Sequence, residues 1–213
     1  MRIRLTFSKK GAMQYVGHLD LHRSWERIFR RSGLPLAYSQ GFHPQPRLNL
    51  ACALPLGFTS QCEILDAWLE QDLPIDQIQE PVSSALPPGL EVHSLEIIDL
   101  HATALQTQVT SAVYLITFLD EIPDLDDRVQ RIISADHLPR LRRNKPYDLR
   151  SLIEGISLLA QNESGKCGIS VQLAAREAAT GRPEELLDEL GIKFEATHVH
   201  REKLILASSW LSN

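Results

Sequence analysis

The segment from Tyr38 to Arg47 combines side chains that suit recognition of single-stranded nucleic acid. Tyr38 and Phe42 offer rings, Gln40 and His43 offer hydrogen-bonding groups, and Arg47 offers a cation. Single-stranded RNA is bound by planar groups that stack on bases, cations that hold phosphates and amides that contact base edges. The alternative is a surface turn whose aromatic side chains pack into the core.

An arginine stripe precedes this segment on a predicted helix. At about 100° per residue, apolar and basic residues fall on opposite faces. The apolar face consists of Leu21, Trp25, Ile28 and Phe29. The basic face consists of Arg23, Arg27, Arg30 and Arg31. The stripe either holds phosphates or is a solvated helix face.

Two histidines could carry acid–base chemistry. An imidazole passes protons in both directions near neutral pH, so His18 and His43, with Tyr15, are candidates for metal-independent RNA cleavage. His18 is also an ordinary residue to find at the start of a helix. The chain contains no GxxxxGK[ST], GxGxxG or GxSxG motif, which argues against nucleotide hydrolases, dinucleotide enzymes and serine hydrolases.

Charge is segregated along the chain, although the net charge is only −5. Residues 1–50 hold nine basic against two acidic residues, whereas residues 51–110 hold nine acidic residues and no Lys or Arg. Such asymmetry favours a surface that steers phosphates or an acidic partner. The alternative is that the two regions face each other within the fold.

Length and cysteine use limit the class of protein. The 213 residues suffice for one large domain or two small ones. Three cysteines outside CxxC pairs indicate a reducing compartment. Arg2 and Arg4 interrupt any signal-peptide core, and no apolar run approaches membrane-spanning length, so we expect a cytoplasmic protein without membrane contact.

The elements that must position these residues follow a repeated order. Residues 2–7 alternate apolar and polar side chains, which predicts a half-buried strand, and the helix begins at Gly17 or His18 and ends at Gly33. The first half continues with strands at 46–53 and 62–70, a helix at 75–86 and a strand at 90–98. After a polar joint at 101–111, strands are expected at 112–119, 149–159, 168–175 and 198–206. The helices of this half are expected at 124–135 and from Pro183. We therefore predict an α+β fold of two tandem ferredoxin-like (β-α-β-β-α-β) units, 1–101 with the binding site and 111–213.

Residues 7–66 carry a family resemblance, which extends more loosely over nearly the whole chain through YDLRSLI at 147–153 and Arg201. The HLD at 18–20, the run RRSGLPLAYSQGFHPQP at 30–46 and the LPLG at 54–57 resemble the radical SAM-linked family of bacterial proteins. In that family this domain stands alone or lies C-terminal to radical SAM proteins. Gly17 departs from the serine that the family usually has before HLD.

The resemblance implies a link to radical SAM enzymes and, by gene association, to ribonucleases of the E/G type. That suggests RNA processing or modification. The chain lacks the CxxxCxxC run of a cluster-binding enzyme, so a partner would supply radical chemistry.

We therefore expect a non-catalytic RNA-binding or substrate-presenting accessory module, with no cofactor, no metal and no catalytic residue of its own. One alternative is a module that docks on a radical SAM protein without nucleic acid, and another is a metal-independent endoribonuclease. The predicted binding residues are His18, Asp20, Arg23, Arg27, Arg30, Tyr38, Gln40, Phe42, His43 and Arg47.

Overall fold

The computed structural model describes residues 1–160 and 166–207, which form eleven β-strands and five α-helices. The chain divides into two compact units, Met1–Gln108 and Val109–Asn213. The division falls inside the segment predicted as a polar joint, where a short helix, α3 (Leu105–Gln108), has formed. Each unit is an α+β structure in which all strand pairs named below are antiparallel.

Unit 1 contains four strands and three helices. They are β1 (Arg2–Lys9), α1 (His18–Ser32), β2 (Leu48–Leu50), β3 (Thr59–Trp68), α2 (Asp76–Ala85), β4 (Leu90–Ile98) and α3. The strands pair in the order β2-β3-β1-β4. Ile3, Leu5 and Phe7 of β1 meet α1 in the core, where the rings of Phe7 and Trp25 pack edge to face with centroids 4.8 Å apart.

The predicted amphipathic helix is confirmed. Helix α1 buries Leu21, Trp25, Ile28 and Phe29, and Gly33 ends it in the left-handed region with φ 70°. Glycine adopts that conformation without the Cβ clash that other residues suffer. The N-cap Gly17 is extended and offers no side-chain hydrogen bond to the first turn.

Strand β1 is buried on both faces, which corrects the expectation of a half-buried strand. Arg2 and Arg4, on the face away from α1, are only 2% and 7% exposed. Both guanidinium groups donate to the buried carboxylate of Asp66 on β3, which lies opposite Arg4 in the strand register. The alternation of residue types therefore separates an apolar face from an ionic interior face, not from a solvated one.

Unit 2 contains seven strands and two helices among the described residues. They are β5 (Val109–Phe118), α4 (Leu125–Ser134), β6 (Pro139–Arg142), β7 (Lys145–Asp148), β8 (Ile153–Leu159), β9 (Gly168–Arg176), β10 (Ala179–Thr180), α5 (Pro183–Glu189) and β11 (Thr197–Leu206). Strand β9 pairs with β8 and β5, β5 pairs with β11, and β10 folds back on the end of β9.

The basic segment after α4 forms a hairpin that the sequence patterns did not predict. Strands β6 and β7 pair with Arg142 opposite Lys145, and Arg143 and Asn144 turn the chain with φ angles of 51° and 61°. A two-residue turn with both φ angles positive matches the twist of a hairpin. The usual sequence of such a turn is Asn-Gly or Asp-Gly. The Arg-Asn pair used here lacks that signal.

Within the described residues, no helix is both long and apolar enough to cross a membrane.

Candidate nucleic-acid interface

The exposed face of α1 carries three of the predicted binding residues. Arg23, Arg27 and Arg30 are exposed and lie within about 60° of one another around the helix axis. Along the axis they are separated by about 6 Å and about 4.5 Å. The three guanidinium groups therefore form one short basic row.

The members of this row differ in their partners. Arg23 donates to Asp20 at 3.2 Å, but both side chains are about two thirds exposed, so water screens the pair. Among the described residues, the side chains of Arg27 and Arg30 take part in no ion pair or hydrogen bond. Arg31 is turned away from the row and donates to the carbonyl of Ala85 at 3.0 Å.

The segment from Leu36 to Arg47, which we call the aromatic loop, is anchored through its two ends. The amide of Ala37 donates to the carbonyl of Trp68, and the amide of Trp68 donates to the carbonyl of Arg47. Tyr38 also bridges to Pro46 in antiparallel fashion. These bonds fasten both ends of the loop to the end of β3.

The tip of the aromatic loop faces water. Phe42 is 102% exposed and Tyr38 is 48% exposed, while Gln40 and His43 are also exposed. The alternative that these rings pack into the core is therefore wrong. The backbone carbonyl of His43 accepts from the side-chain amide of Gln45 at 3.4 Å. Stacking faces and hydrogen-bonding groups are thus presented together on one exposed turn.

Arg47 is held by an aromatic partner that the sequence did not indicate. Its guanidinium lies over the ring of Trp68 with Cζ 4.8 Å from the ring centroid, and Arg2 lies 4.9 Å from the same centroid. Trp68 lies 21 positions after Arg47, and the contact arises only because β3 and the loop pair. The cation–π contact orients Arg47 without neutralising its charge.

Arg2 and Arg4, two of the nine basic residues among the first fifty, form ion pairs in the interior. Asp66 accepts from Arg2 Nη2 at 2.6 Å and from Arg4 Nε at 2.7 Å, and it is fully buried. Arg2 also donates to the carbonyls of Ala102 and Thr103. For Arg2 and Arg4, the alternative that basic and acidic regions face each other in the fold is therefore correct.

His18 lies in a different place from the aromatic loop. It lines a cleft of about 250 Å³ whose other lining residues include His22, Cys52 and Gln106 but not Tyr38, His43 or Arg47. His22 is fixed there, with Nδ1 3.0 Å from Glu26 and Nε2 3.2 Å from the carbonyl of Leu48. The second imidazole beside His18 is therefore His22, not the predicted His43.

Residues 1–160 and 166–207 contain no group of three or more His, Cys, Asp or Glu side chains that could hold a metal ion.

Solved structures resemble the chain only distantly. A chain of a Cbf5-Nop10-Gar1 complex matches with a TM-score of 0.49 and 9% identity, over 95% of this chain and 48% of that chain. A chain of an H/ACA RNP bound to a substrate RNA containing 2'-deoxyuridine matches with a TM-score of 0.47 and 10% identity, over 95% and 47%. This chain thus spans about half the length of either. The acetolactate synthase small subunit from Thermotoga maritima matches with a TM-score of 0.27 and 10% identity, over 99% and 98%.

No curated protein matches the chain. The sequence of residues 2–183 matches the bacterial family described as an uncharacterized protein conserved in bacteria (DUF2344), and the chain belongs to that family.

Proposed function

We propose that unit 1 binds single-stranded RNA through the aromatic loop and the arginine row of α1, as a non-catalytic module that holds or presents RNA to a processing enzyme. The observation that carries this proposal is the aromatic loop itself. It exposes the whole ring of Phe42 while its two ends are hydrogen-bonded to β3. An anchored, exposed ring can stack on a base with little further loss of backbone entropy.

The remaining side chains supply the other contacts that single-stranded RNA needs. Arg27 and Arg30 are exposed and lack side-chain partners among the described residues, so they are available for phosphates. Arg47 is oriented by Trp68, and Gln40 and His43 can reach base edges. Asp20 acts as a counter-charge to Arg23, and His18 contributes from the separate cleft.

The test is equilibrium binding of a labelled single-stranded oligoribonucleotide, measured by fluorescence anisotropy. Arg27→Glu/Arg30→Glu should weaken binding by about tenfold or more, because each charge-assisted contact that is lost removes its contribution to the binding free energy. Arg131→Glu is the matched control, since Arg131 is exposed on α4 and its side chain has no partner among the described residues. Equal affinity of the double variant and the control would contradict the proposal. RNA recovered from the assay should be intact in the presence of a chelator between pH 5 and pH 9.

A protein-docking role is the second candidate, and an exposed apolar group supports it. Tyr15, in the 3-10 turn before α1, is 72% exposed, Leu19 in the first turn of α1 is 74% exposed, and Leu56 is 60% exposed nearby. The amide of Gly57 donates to the carbonyl of Gln14, which ties these segments together. The radical SAM protein as partner is proposed only on the sequence resemblance of residues 7–66.

Co-purification with a radical SAM protein from the same organism separates the two candidates. Docking through the apolar group should be abolished by Leu19→Ser, which leaves the arginine row unchanged. RNA binding should be insensitive to Leu19→Ser and sensitive to Arg27→Glu/Arg30→Glu.

We also propose that each unit is ferredoxin-like. The strand order β2-β3-β1-β4 in unit 1 and β8-β9-β5-β11 in unit 2 supports this, with the β6–β7 hairpin as an insertion.

A further inference from the structure

Unit 2 contains a large basic cleft that the proposed RNA-binding surface does not use. The β6–β7 hairpin, the short helical turn at Arg150–Leu152 and residues 177–182 enclose a volume of about 860 Å³. Clefts that bind small molecules have volumes of about 300 to 1,000 Å³. The space is therefore large enough for a ligand the size of a nucleotide.

Three exposed cations line this cleft without being neutralised. Arg143, Lys145 and Arg182 are exposed, and their side chains form no ion pair or hydrogen bond within residues 1–160 and 166–207. Arg143 is in the hairpin turn and Lys145 follows it, whereas Arg182 comes from the segment before α5. Cations from two separate segments thus face one space.

The carboxylates at the cleft offset this charge only in part. Asp148 is already occupied, because it accepts from His137 Nδ1 at 2.9 Å and from the amides of Leu138 and Arg150. These bonds, that of His137 first, hold the pKa of Asp148 below its ordinary value. Glu177 is the remaining carboxylate among the lining residues. The three unpaired cations outnumber the carboxylates of Asp148 and Glu177 in the lining, and this excess of positive charge favours an anionic ligand.

The wall of the cleft is fixed before any ligand binds. The guanidinium of Arg142 donates to both carboxylate oxygens of Glu185 and to the carbonyl of Thr180 at 2.8 Å. It also lies 4.6 Å from the ring centroid of Tyr147. Arg142 therefore fastens the hairpin to α5 and β10, and a preorganised site binds without the cost of ordering its wall.

The lining also contains an apolar part. Pro146, Tyr147, Leu152, Ala178 and Ala179 lie beside the cations. An inorganic anion needs no such surface, whereas the base of a nucleotide packs on rings and apolar side chains. Burial, followed by a hydrogen bond with Glu185, raises the pKa of Tyr147.

We propose that this cleft binds a nucleotide, with the phosphate held by Arg143, Lys145 and Arg182 and the base packed against Pro146 and Tyr147. The ligand is either a free mononucleotide or one nucleotide of an RNA strand. The chemistry of recognition is the same for both. The site uses none of the residues of the aromatic loop or of α1.

Titration calorimetry of the full chain with AMP tests the site, and anisotropy with a single-stranded oligoribonucleotide distinguishes the two sources. Lys145→Glu/Arg182→Glu should weaken binding of the relevant probe by about tenfold or more. Arg143→Gln should weaken it less, and Arg131→Glu should leave it unchanged. All four substituted residues are exposed, so equal thermal midpoints are expected for every variant.

The outcomes separate cleanly. Binding of AMP that the double variant abolishes identifies a free-nucleotide site. RNA binding that the double variant weakens, without AMP binding, identifies a strand-binding site. The Arg27→Glu/Arg30→Glu variant should bind AMP like the wild type. The test of this cleft is therefore independent of the RNA-binding proposal for unit 1. If Lys145→Glu/Arg182→Glu changes the affinity for neither probe, the inference is wrong.

Discussion

Phe42 places a whole aromatic ring in water, and RNA binding would recover part of the free energy that this exposure costs. Burial of a phenylalanine side chain is favourable by about 1.5 to 3 kcal/mol. Stacking on a nucleic-acid base contributes about 1 to 3 kcal/mol per base. At the residue scale, Phe42 is therefore the position where loss of function and loss of stability separate most clearly.

Phe42→Ala should weaken RNA binding by about 1 to 3 kcal/mol and leave the free energy of unfolding unchanged within about 0.5 kcal/mol. The side chain is 102% exposed, so its removal opens no cavity. Phe42→Tyr keeps a stacking face and should bind like the wild type. Anisotropy and urea denaturation of the three proteins measure both quantities, and unchanged RNA affinity of Phe42→Ala would contradict a stacking role.

Asp66 has the opposite character, since it is buried and holds two cations. Asp66→Ala should lower the free energy of unfolding by about 3 to 5 kcal/mol, because Arg2 and Arg4 would lose their shared counter-charge in the interior. Asp136 is a matched control, since it is exposed and its side chain forms no ion pair or hydrogen bond among the described residues. Asp136→Ala should change the same quantity by less than about 0.5 kcal/mol in urea denaturation. A small effect of Asp66→Ala would mean that the two arginines reach water.

At the element scale, the two glycines that flank α1 should respond in opposite directions. Gly33 has φ 70° and open space around its Cα, so Gly33→Ala should cost about 1 to 2 kcal/mol through backbone strain alone. Gly17 is extended and uncapped, and Gly17→Ser should add a few tenths of a kcal/mol by bonding to the first turn. Urea midpoints of the two variants measure the difference. Equal urea midpoints would contradict the backbone conformations assigned to Gly17 and Gly33.

The β6–β7 hairpin should show a pH dependence that depends on Asp148. Its pKa is lowered, first by the hydrogen bond from His137 and then by the amide of Leu138. Its contribution to stability is therefore complete above the unfolded value of about 3.9 and is lost as pH falls through the lower folded value.

Asp148→Asn should consequently be less stable than the wild type at pH 6, and the gap should shrink as pH falls to 3. Asp136→Asn, an exposed neighbour, serves as control. Urea denaturation at pH 6, 4 and 3 measures the gap, and a gap that is independent of pH would contradict the role assigned to Asp148.

At the scale of the whole molecule, the sequence predicted what depends on local patterns. Helix α1 could be predicted from its own residues alone. Its apolar arc consists of Leu21, Trp25, Ile28 and Phe29, and Gly33 marks its end. The exposure of Phe42 could not be read from its residue type, because a phenylalanine in a turn packs inward as readily.

Contacts between distant segments account for what the sequence patterns missed. Arg2 and Arg4 alternate with apolar residues just as solvated arginines do, and only the register with β3 brings Asp66 opposite them. The contact of Arg47 with Trp68 depends on the same pairing. The turn of the β6–β7 hairpin contains no glycine, so the sequence predicted neither the hairpin nor the cleft beside it.

The salt dependence of RNA binding tests the central claim most directly. Each phosphate contact with a single strand contributes about −0.7 to the slope of log K against log salt. If Arg27 and Arg30 each hold a phosphate, Arg27→Gln/Arg30→Gln should make the slope shallower by about 1.4 relative to Arg131→Gln. Binding that is insensitive to salt, or identical slopes for the two proteins, would contradict the account of unit 1 as an RNA-binding surface.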